Sequence, residues 1–354
     1  MTASLTERTD SPMPRPTSNV AQRGFTLTEM LVVIGIIALL IGILLPALSR
    51  VQDRARRTQT ESLMNEFRSA CENFQQQFGF YPGIVPEAIL NATANPAISG
   101  MENALLHMCG GAIAQDDPDY GAAAYASWTE VTFGSGTNTF RIKVNASKVG
   151  EGPRIQGAKY SSFFSPKTDD LLAAPGQNLA SAASVDPYAN DPLRIPDLLD
   201  SWGQPIMYFR QLRPQAQFLV QGGLQTESLS DAMFAFQGAA PYLNSAALGD
   251  LGRDQSNSVL RLAAAANRSA TLAQIIRAPA IGVPTGSASQ ILTTAAPRGA
   301  FAVISAGKDG VFYSQFDGIG SPSAPKSDII SGGSNPKGPE AMAEYDDIRV
   351  FGGG

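Results

Sequence analysis

The stretch Arg23–Arg50, RGFTLTEMLVVIGIIALLIGILLPALSR, decides how the rest of the chain is read. The nineteen residues from Met30 to Leu48 carry no charge. At roughly 1.5 Å per residue they span about 28 Å as a helix, close to the hydrocarbon thickness of a bilayer. Yet Glu29 stands at the entrance of the run and Pro46 near its exit. A carboxylate at that depth costs about a few kcal/mol unless it finds a partner. A proline removes one backbone donor and crowds the preceding turn, which kinks or locally opens a helix. Neither residue suits a plain anchor.

Upstream, residues 1–22 are polar and proline-bearing with no periodicity, which reads as a disordered, removable leader. Downstream, Leu63, Phe67, Ala70, Phe74 and Phe78 recur at spacings of three and four, the stripe of an amphipathic helix. Gly79 then offers a C-terminal cap, and Pro82 prevents resumption. A single helix from Phe25 to Phe78 would be about 80 Å long, and its outer half needs something to pack on. The chain therefore divides into a leader (1–24), an apolar helix (25–48), its amphipathic continuation (49–79) and a head (80–354). Four arginines, Arg50, Arg54, Arg56 and Arg57, follow the apolar run and outnumber the leader's three, so flanking charge does not settle orientation.

The head contains strand-like runs at Val131–Val144, hairpin-like around Gly134–Asn138, and at Pro205–Leu212, Ala216–Val220 and Ala300–Gly307. Ser258–Ala278 reads as a helix or helix-containing loop, and the Ala- and Ser-rich tracts at 171–190 and 279–298 read as long loops. With a single histidine, His107, and two cysteines, Cys71 and Cys109, the chain is poorly equipped for a structural zinc site or a His-dependent hydrolase. The net charge is −5, and the excess acid lies beyond the long helix, which argues against a nucleic-acid partner. The acid pair Asp116 and Asp117, in QDDPDY, reads as a solvated turn. The two cysteines could form a disulfide in an oxidising compartment or remain two buried thiols.

Arg23-Gly24-Phe25-Thr26-Leu27-Thr28-Glu29, followed by an apolar helix, resembles the prepilin-type cleavage and methylation motif of type IV pilins and of type II secretion pseudopilins. The resemblance implies cleavage between Gly24 and Phe25 by a membrane-bound prepilin peptidase, and N-methylation of Phe25. It also implies that Glu29 pairs with the amine of a neighbouring subunit, and that Pro46 is a helix kink which helps the segment leave the bilayer. Leu198–Arg210, LLDSWGQPIMYFR, is similar to the Asp-x-Trp-Gly-x-Pro segment that opens the sheet of the major pseudopilin. In that reading Gly203 turns the chain and Trp202 packs the sheet against the helix. Ile304–Phe312, ISAGKDGVF, with Tyr345–Phe351, YDDIRVF, resembles that family's C-terminal calcium loop. Carried over, the ligands are Asp309, Asp346 and Asp347 with backbone carbonyls, a donor set of oxygens that suits Ca2+. Thirty-three residues separate Phe312 from Asp346, where the family loop is short, and Asp317 and Asp328 in that insertion could substitute or do nothing.

These readings make the expected fold α+β and pilin-like: a long N-terminal helix packed on a C-terminal antiparallel sheet, with large insertions at about 83–197 and 211–299. The expected function is structural rather than enzymatic. The chain would be a single-pass protein of the bacterial inner membrane with a periplasmic head. It would be built, together with copies or related subunits and a secretion assembly platform, into a pseudopilus or pilus. The alternatives are a minor or adhesive type IV pilin, and an envelope enzyme or ligand-binding protein that borrows a prepilin-type anchor.

Overall fold

A computed structural model describes residues 26–92, 98–167, 193, 195–211, 217–220, 223–226, 257–262, 265–277, 297–317 and 345–353. The chain divides into two compact units, Met1–Gln52 and Asp53–Gly354. Helix α1, Leu27–Phe78, contributes to both and continues through Pro46. Within the first unit its large apolar side chains, from Leu27 to Val51, are all exposed. Among the described residues α1 is the one helix long and apolar enough to cross a membrane.

The second unit begins where the stripe on α1 acquires partners. Leu63, Met64, Phe67, Ala70, Cys71 and Phe74 are buried, and they share one core with Tyr208, Phe301, Val303, Ile348 and Val350. Those five belong to β6 (Met207–Arg210), β9 (Phe301–Ser305) and β10 (Ile348–Gly352), an antiparallel sheet in the order β10-β9-β6. In register, Val303 faces Val350 on one side and Tyr208 on the other. Because side chains alternate across a strand, the opposite face presents Met207, Phe209, Ala302 and Ile304. That face packs on Val259 and Leu260 of α4 (Val259–Leu262) and on Leu272, Ala273, Ile275 and Ile276 of α5 (Ala265–Ile276). Burial on both faces explains why β9 reads as an unbroken apolar run rather than an alternating one. α1 ends as expected: Gly79 adopts φ +83° and donates its N–H to Gln75 O at 2.7 Å.

The interval 83–167, in which the sequence pattern pointed to one hairpin, folds into a further layer. α2 (Glu87–Ala92) and α3 (Gly100–Cys109) accompany a second antiparallel sheet, β1-β3-β2, made of Ala112–Ala114, Thr129–Ser135 and Asn138–Val144. Its core holds Ile84, Val85, Ile89, Leu106, Phe133, Phe140 and Ile142. The expected hairpin is there, with Ser135 paired to Asn138 across a two-residue turn and Gly136 at φ +61°. α3 starts on a capping box in which Ser99 and Glu102 satisfy each other's backbone N–H. Asn103 on α3 accepts from Val85 N at 2.8 Å and donates to Val85 O at 3.0 Å, and His107 Nδ1 accepts from Gly83 N at 3.0 Å. These contacts moor the chain leaving α1 to α3. Two short hairpins complete the described strands, β4 (Arg154–Ile155) with β5 (Ala158–Lys159), and β7 (Gln217–Val220) with β8 (Gly223–Thr226).

Cys71 and Cys109 are both free and buried, so the disulfide alternative gives way to two thiols. Each has an interior partner: Cys71 lies against the Tyr208 hydroxyl, and Cys109 donates to Phe164 O at 3.2 Å. Desolvation pushes both thiols upward, Cys109 to about 12.

Candidate functional site

The N-terminal site opens on Thr26, the first residue described; Gly24 and Phe25 lie outside the described residues. Thr26 N–H and its hydroxyl both donate to Glu29 Oε2 at 2.8 Å, and Glu29 N–H donates back to Thr26 Oγ1 at 3.2 Å. This reciprocal arrangement is a capping box, signalled by Thr-x-x-Glu directly before the apolar run. The signal was available in the sequence beside the cleavage motif, and it gives Glu29 a local role in starting α1. Further along, Ser49 donates its hydroxyl to Pro46 O at 3.0 Å.

The second site lies where the two C-terminal motifs meet the Asp-x-Trp-Gly segment. Asp200 Oδ1 accepts from Trp202 N and Gln204 N, each at 2.9 Å, which closes the turn around Gly203 at φ +81°. Its other oxygen accepts from Ser305 Oγ at 2.7 Å, and Ser305 Oγ in turn accepts from Gly307 N at 3.1 Å. Ser201 N donates to Thr60 Oγ1 on α1 at 3.0 Å. Asp200 thus joins two motifs that are 105 residues apart, next to the long helix. Burial raises its carboxyl above the ordinary value, and the hydrogen bonds partly oppose that rise. Trp202 is half-buried against the helix-side core, the packing role expected of it.

The loop after β9 brings carboxylates together. Asp309, Asp317 and Asp346 each place an oxygen within 4.8 Å of the others. Asp346 Oδ2 accepts from Lys308 N at 3.1 Å and Asp309 N at 3.3 Å, while Asp309 Oδ1 accepts from Val311 N at 2.8 Å. Gly307 and Gly310, at φ +70° and +73°, supply the left-handed turns that wrap the loop around them. Asp346 Oδ1 and Asp317 Oδ2 are buried with no hydrogen-bond partner among the described residues. Desolvation, then the neighbouring carboxylates, pushes Asp317 up to about 7; desolvation also raises Asp346. Lys308 Nζ reaches Asp53 Oδ2 on α1 at 2.6 Å and ties the loop to the helix.

Orphaned, crowded carboxylate oxygens fit a hard cation, and Asp309, Asp317 and Asp346 are the residues that would hold Ca2+. Asp347, named by the resemblance, is placed differently. Both its oxygens accept from Tyr313 N at 3.1 Å and its side chain is buried, so it braces the core side of the loop. Asp328 lies outside the described residues.

The acid pair Asp116 and Asp117 is split. Asp116 is exposed, whereas Asp117 is buried rather than solvated and spends its oxygens on Asp119 N at 2.9 Å and Gly157 N at 2.8 Å. His107 is buried between α1 and α3, edge-on to Phe74 at 4.8 Å.

Compared with known proteins, residues 19–45 match the family model of the prokaryotic N-terminal methylation motif. No curated protein and no solved structure matches the chain. Residues 19–45 thus carry a prepilin-type methylation motif that runs into a capped apolar helix, and the long helix on an antiparallel sheet gives the chain an α+β fold consistent with that of pilins.

Proposed function

We propose that the chain is a non-enzymatic structural subunit of a type II secretion pseudopilus or a type IV pilus-like fibre. The observation that carries this reading is the junction at Thr26–Glu29, where the methylation motif passes without interruption into α1. In this reading prepilin peptidase cuts between Gly24 and Phe25, and the new N-terminus is methylated. The uncharged run holds the subunit in the inner membrane with its head in the periplasm, until an assembly platform extracts it. Removing the leader creates an amine one residue before Thr26. A second subunit's amine then competes with Thr26 for Glu29, exchanging a local cap for an intermolecular ion pair. That exchange gives the carboxylate a partner in both states and avoids a bare charge in hydrocarbon. Pro46, which cannot donate a backbone hydrogen bond, provides a weak point at which the helix bends during extraction.

Calcium belongs to the same reading. Asp309, Asp317 and Asp346 would hold it, bound Ca2+ would supply the positive charge that the crowded carboxylates lack, and Lys308 ties the loop to α1 through Asp53. The extra sheet of residues 83–167 favours a specialised or tip-like subunit over a bulk fibre subunit, because it adds a layer that a repeating subunit would have to accommodate at every step.

Mature N-terminal sequencing tests the central step. The processed chain should begin at methylated Phe25, and Glu29→Ala should still be cleaved yet enter fibres poorly. A chain that keeps residues 1–24 in cells with active prepilin peptidase would overturn the assembly reading. Normal fibre entry by Glu29→Ala would remove the pairing role.

A further inference from the structure

On the sheet face turned toward α5, arginines gather beside a buried tyrosine. Arg349 and Phe351 stand two residues apart on β10, opposite Ile304 and Ala302, so their side chains leave that face. Arg298 arrives from the segment before β9. Its backbone N–H donates to Ile276 O at 3.0 Å and its Nε to Arg277 O at 2.9 Å, which fixes it to the C-terminal end of α5. The guanidinium then lies over the Phe351 ring, 5.3 Å from its centroid. Arg298 makes no ion pair among the described residues, and the charged groups that act on it are cations. Burial first, and then Arg349 and Arg277, hold its guanidinium below the ordinary value.

Tyr313 completes the group. It is fully buried, yet its hydroxyl has no hydrogen-bond partner among the described residues. Its backbone adopts φ +49°, a conformation that bulky side chains seldom take. Two contacts hold it there: its N–H donates to both oxygens of Asp347 at 3.1 Å, and its carbonyl accepts from Val259 N at 2.9 Å. Burial and Asp347 raise the phenol, whereas Arg349 and Arg298 pull it down. Arg298 and Arg349 are half-buried, so the place is reached from solvent, with Tyr313 deeper.

We propose that Arg298 and Tyr313, with Arg349 beside them, form a phosphate-binding site between α5 and β10. A buried O–H donor with no acceptor is unfavourable, and so is a part-buried cation surrounded by cations. One bound oxyanion relieves both. A guanidinium fork and a separate O–H, under further positive charge, suit the several acceptor oxygens and second negative charge of phosphate better than the two oxygens of a carboxylate. The site is separate from the assembly reading and from the carboxylates of the loop after β9.

The test uses the full-length chain in detergent, free of calcium so that phosphate stays in solution, with chloride adjusted to keep ionic strength constant. Inorganic phosphate should raise the wild-type melting temperature and acetate should not. Tyr313→Phe deletes the unpartnered hydroxyl, so without phosphate it should melt at or above wild type. By isothermal titration calorimetry it should bind inorganic phosphate about tenfold more weakly, the loss of one hydrogen bond to a charged group. Arg298→Lys keeps the charge without the fork and should also lose about tenfold. Glycerol phosphate binding as tightly as inorganic phosphate would support a phosphate ester as the natural source, and its exclusion would support the free ion. The site is overturned if phosphate does nothing beyond matched chloride, if acetate does as well, or if Tyr313→Phe binds phosphate like wild type. A Tyr313→Phe chain that melts well below wild type without phosphate would give the hydroxyl a partner within the fold and likewise overturn the site.

Discussion

Replacing Asp200 by alanine removes the acceptor of three hydrogen bonds at once: Trp202 N, Gln204 N and Ser305 Oγ. Hydrogen bonds to a charged acceptor contribute about 1.5 kcal/mol each, and the abandoned donors sit where water reaches them poorly. The expected loss is about 3–5 kcal/mol after some relaxation, or roughly 8–15 °C in melting temperature for a head of this size. Asp200→Asn is the sharper probe. Its amide oxygen keeps both backbone donors, but its NH2 now faces Ser305 Oγ, which already accepts from Gly307 N. The serine proton must turn elsewhere, at a cost of about 1 kcal/mol. The sign of the pH dependence follows from burial, which raises the folded carboxyl above its unfolded value. Its proton-linked stability is full below the unfolded pKa and is lost as pH rises through the folded one. The gap between wild type and Asp200→Asn should therefore widen in acid and narrow at neutral pH. Thermal melts by circular dichroism of the full chain in detergent, with calcium held constant at about 1 mM, read all three comparisons. An alanine variant that melts within about 2 °C of wild type would refute the reasoning, as would an asparagine variant as damaged as alanine.

Three other perturbations follow from the same contacts. Arg210, with a fully buried side chain, pairs with Glu87 at 3.2 Å, so Arg210→Met should cost about 3–5 kcal/mol in denaturant melts, and adding Glu87→Gln should recover part of it. Chelator should lower the melting temperature of wild type, by about 2.7 kcal/mol equivalent where calcium had stood at a hundred times its dissociation constant, and Asp317→Asn should melt alike with and without chelator. Cys71 and Cys109 should resist iodoacetamide at pH 8 in the folded chain and react together on unfolding, because burial holds both thiols protonated; mass spectrometry would reveal any disulfide by a missing pair of adducts.

The parts of the molecule that local rules govern were legible in sequence. The stripe from Leu63 to Phe78 named the buried face of α1, and Gly79 named its end. The Gly136 hairpin and the central strand were equally plain. What escaped depends on distant contacts or on the facing of neighbours. Asp200 is an ordinary loop acid until Ser305 is brought to it from 105 residues away. Asp346 and Asp347 are adjacent in an extended segment leading into β10, so their side chains take opposite sides, one toward the loop and one toward Tyr313. The resemblance named both, and only the fold separates them and brings in Asp317. The α3 capping box was readable from Ser99 and Glu102, but the apolar residues after it lie in no long period that would have drawn attention to it.

The order of strands in the sheet under α1 has a bearing on how the chain is delivered. Its centre, β9, comes some ninety residues after β6, and β10 later still. Among the described residues β6 has no strand neighbour other than β9, so until β9 emerges the apolar side of α1 lacks this sheet to close on. Long-range pairing of this kind is slow and late. A chain that emerges from its N-terminus would hold this sheet and the helices packed on it pliable until the final strands arrive. The topology postpones the closing of the sheet on α1 until nearly the whole chain is available.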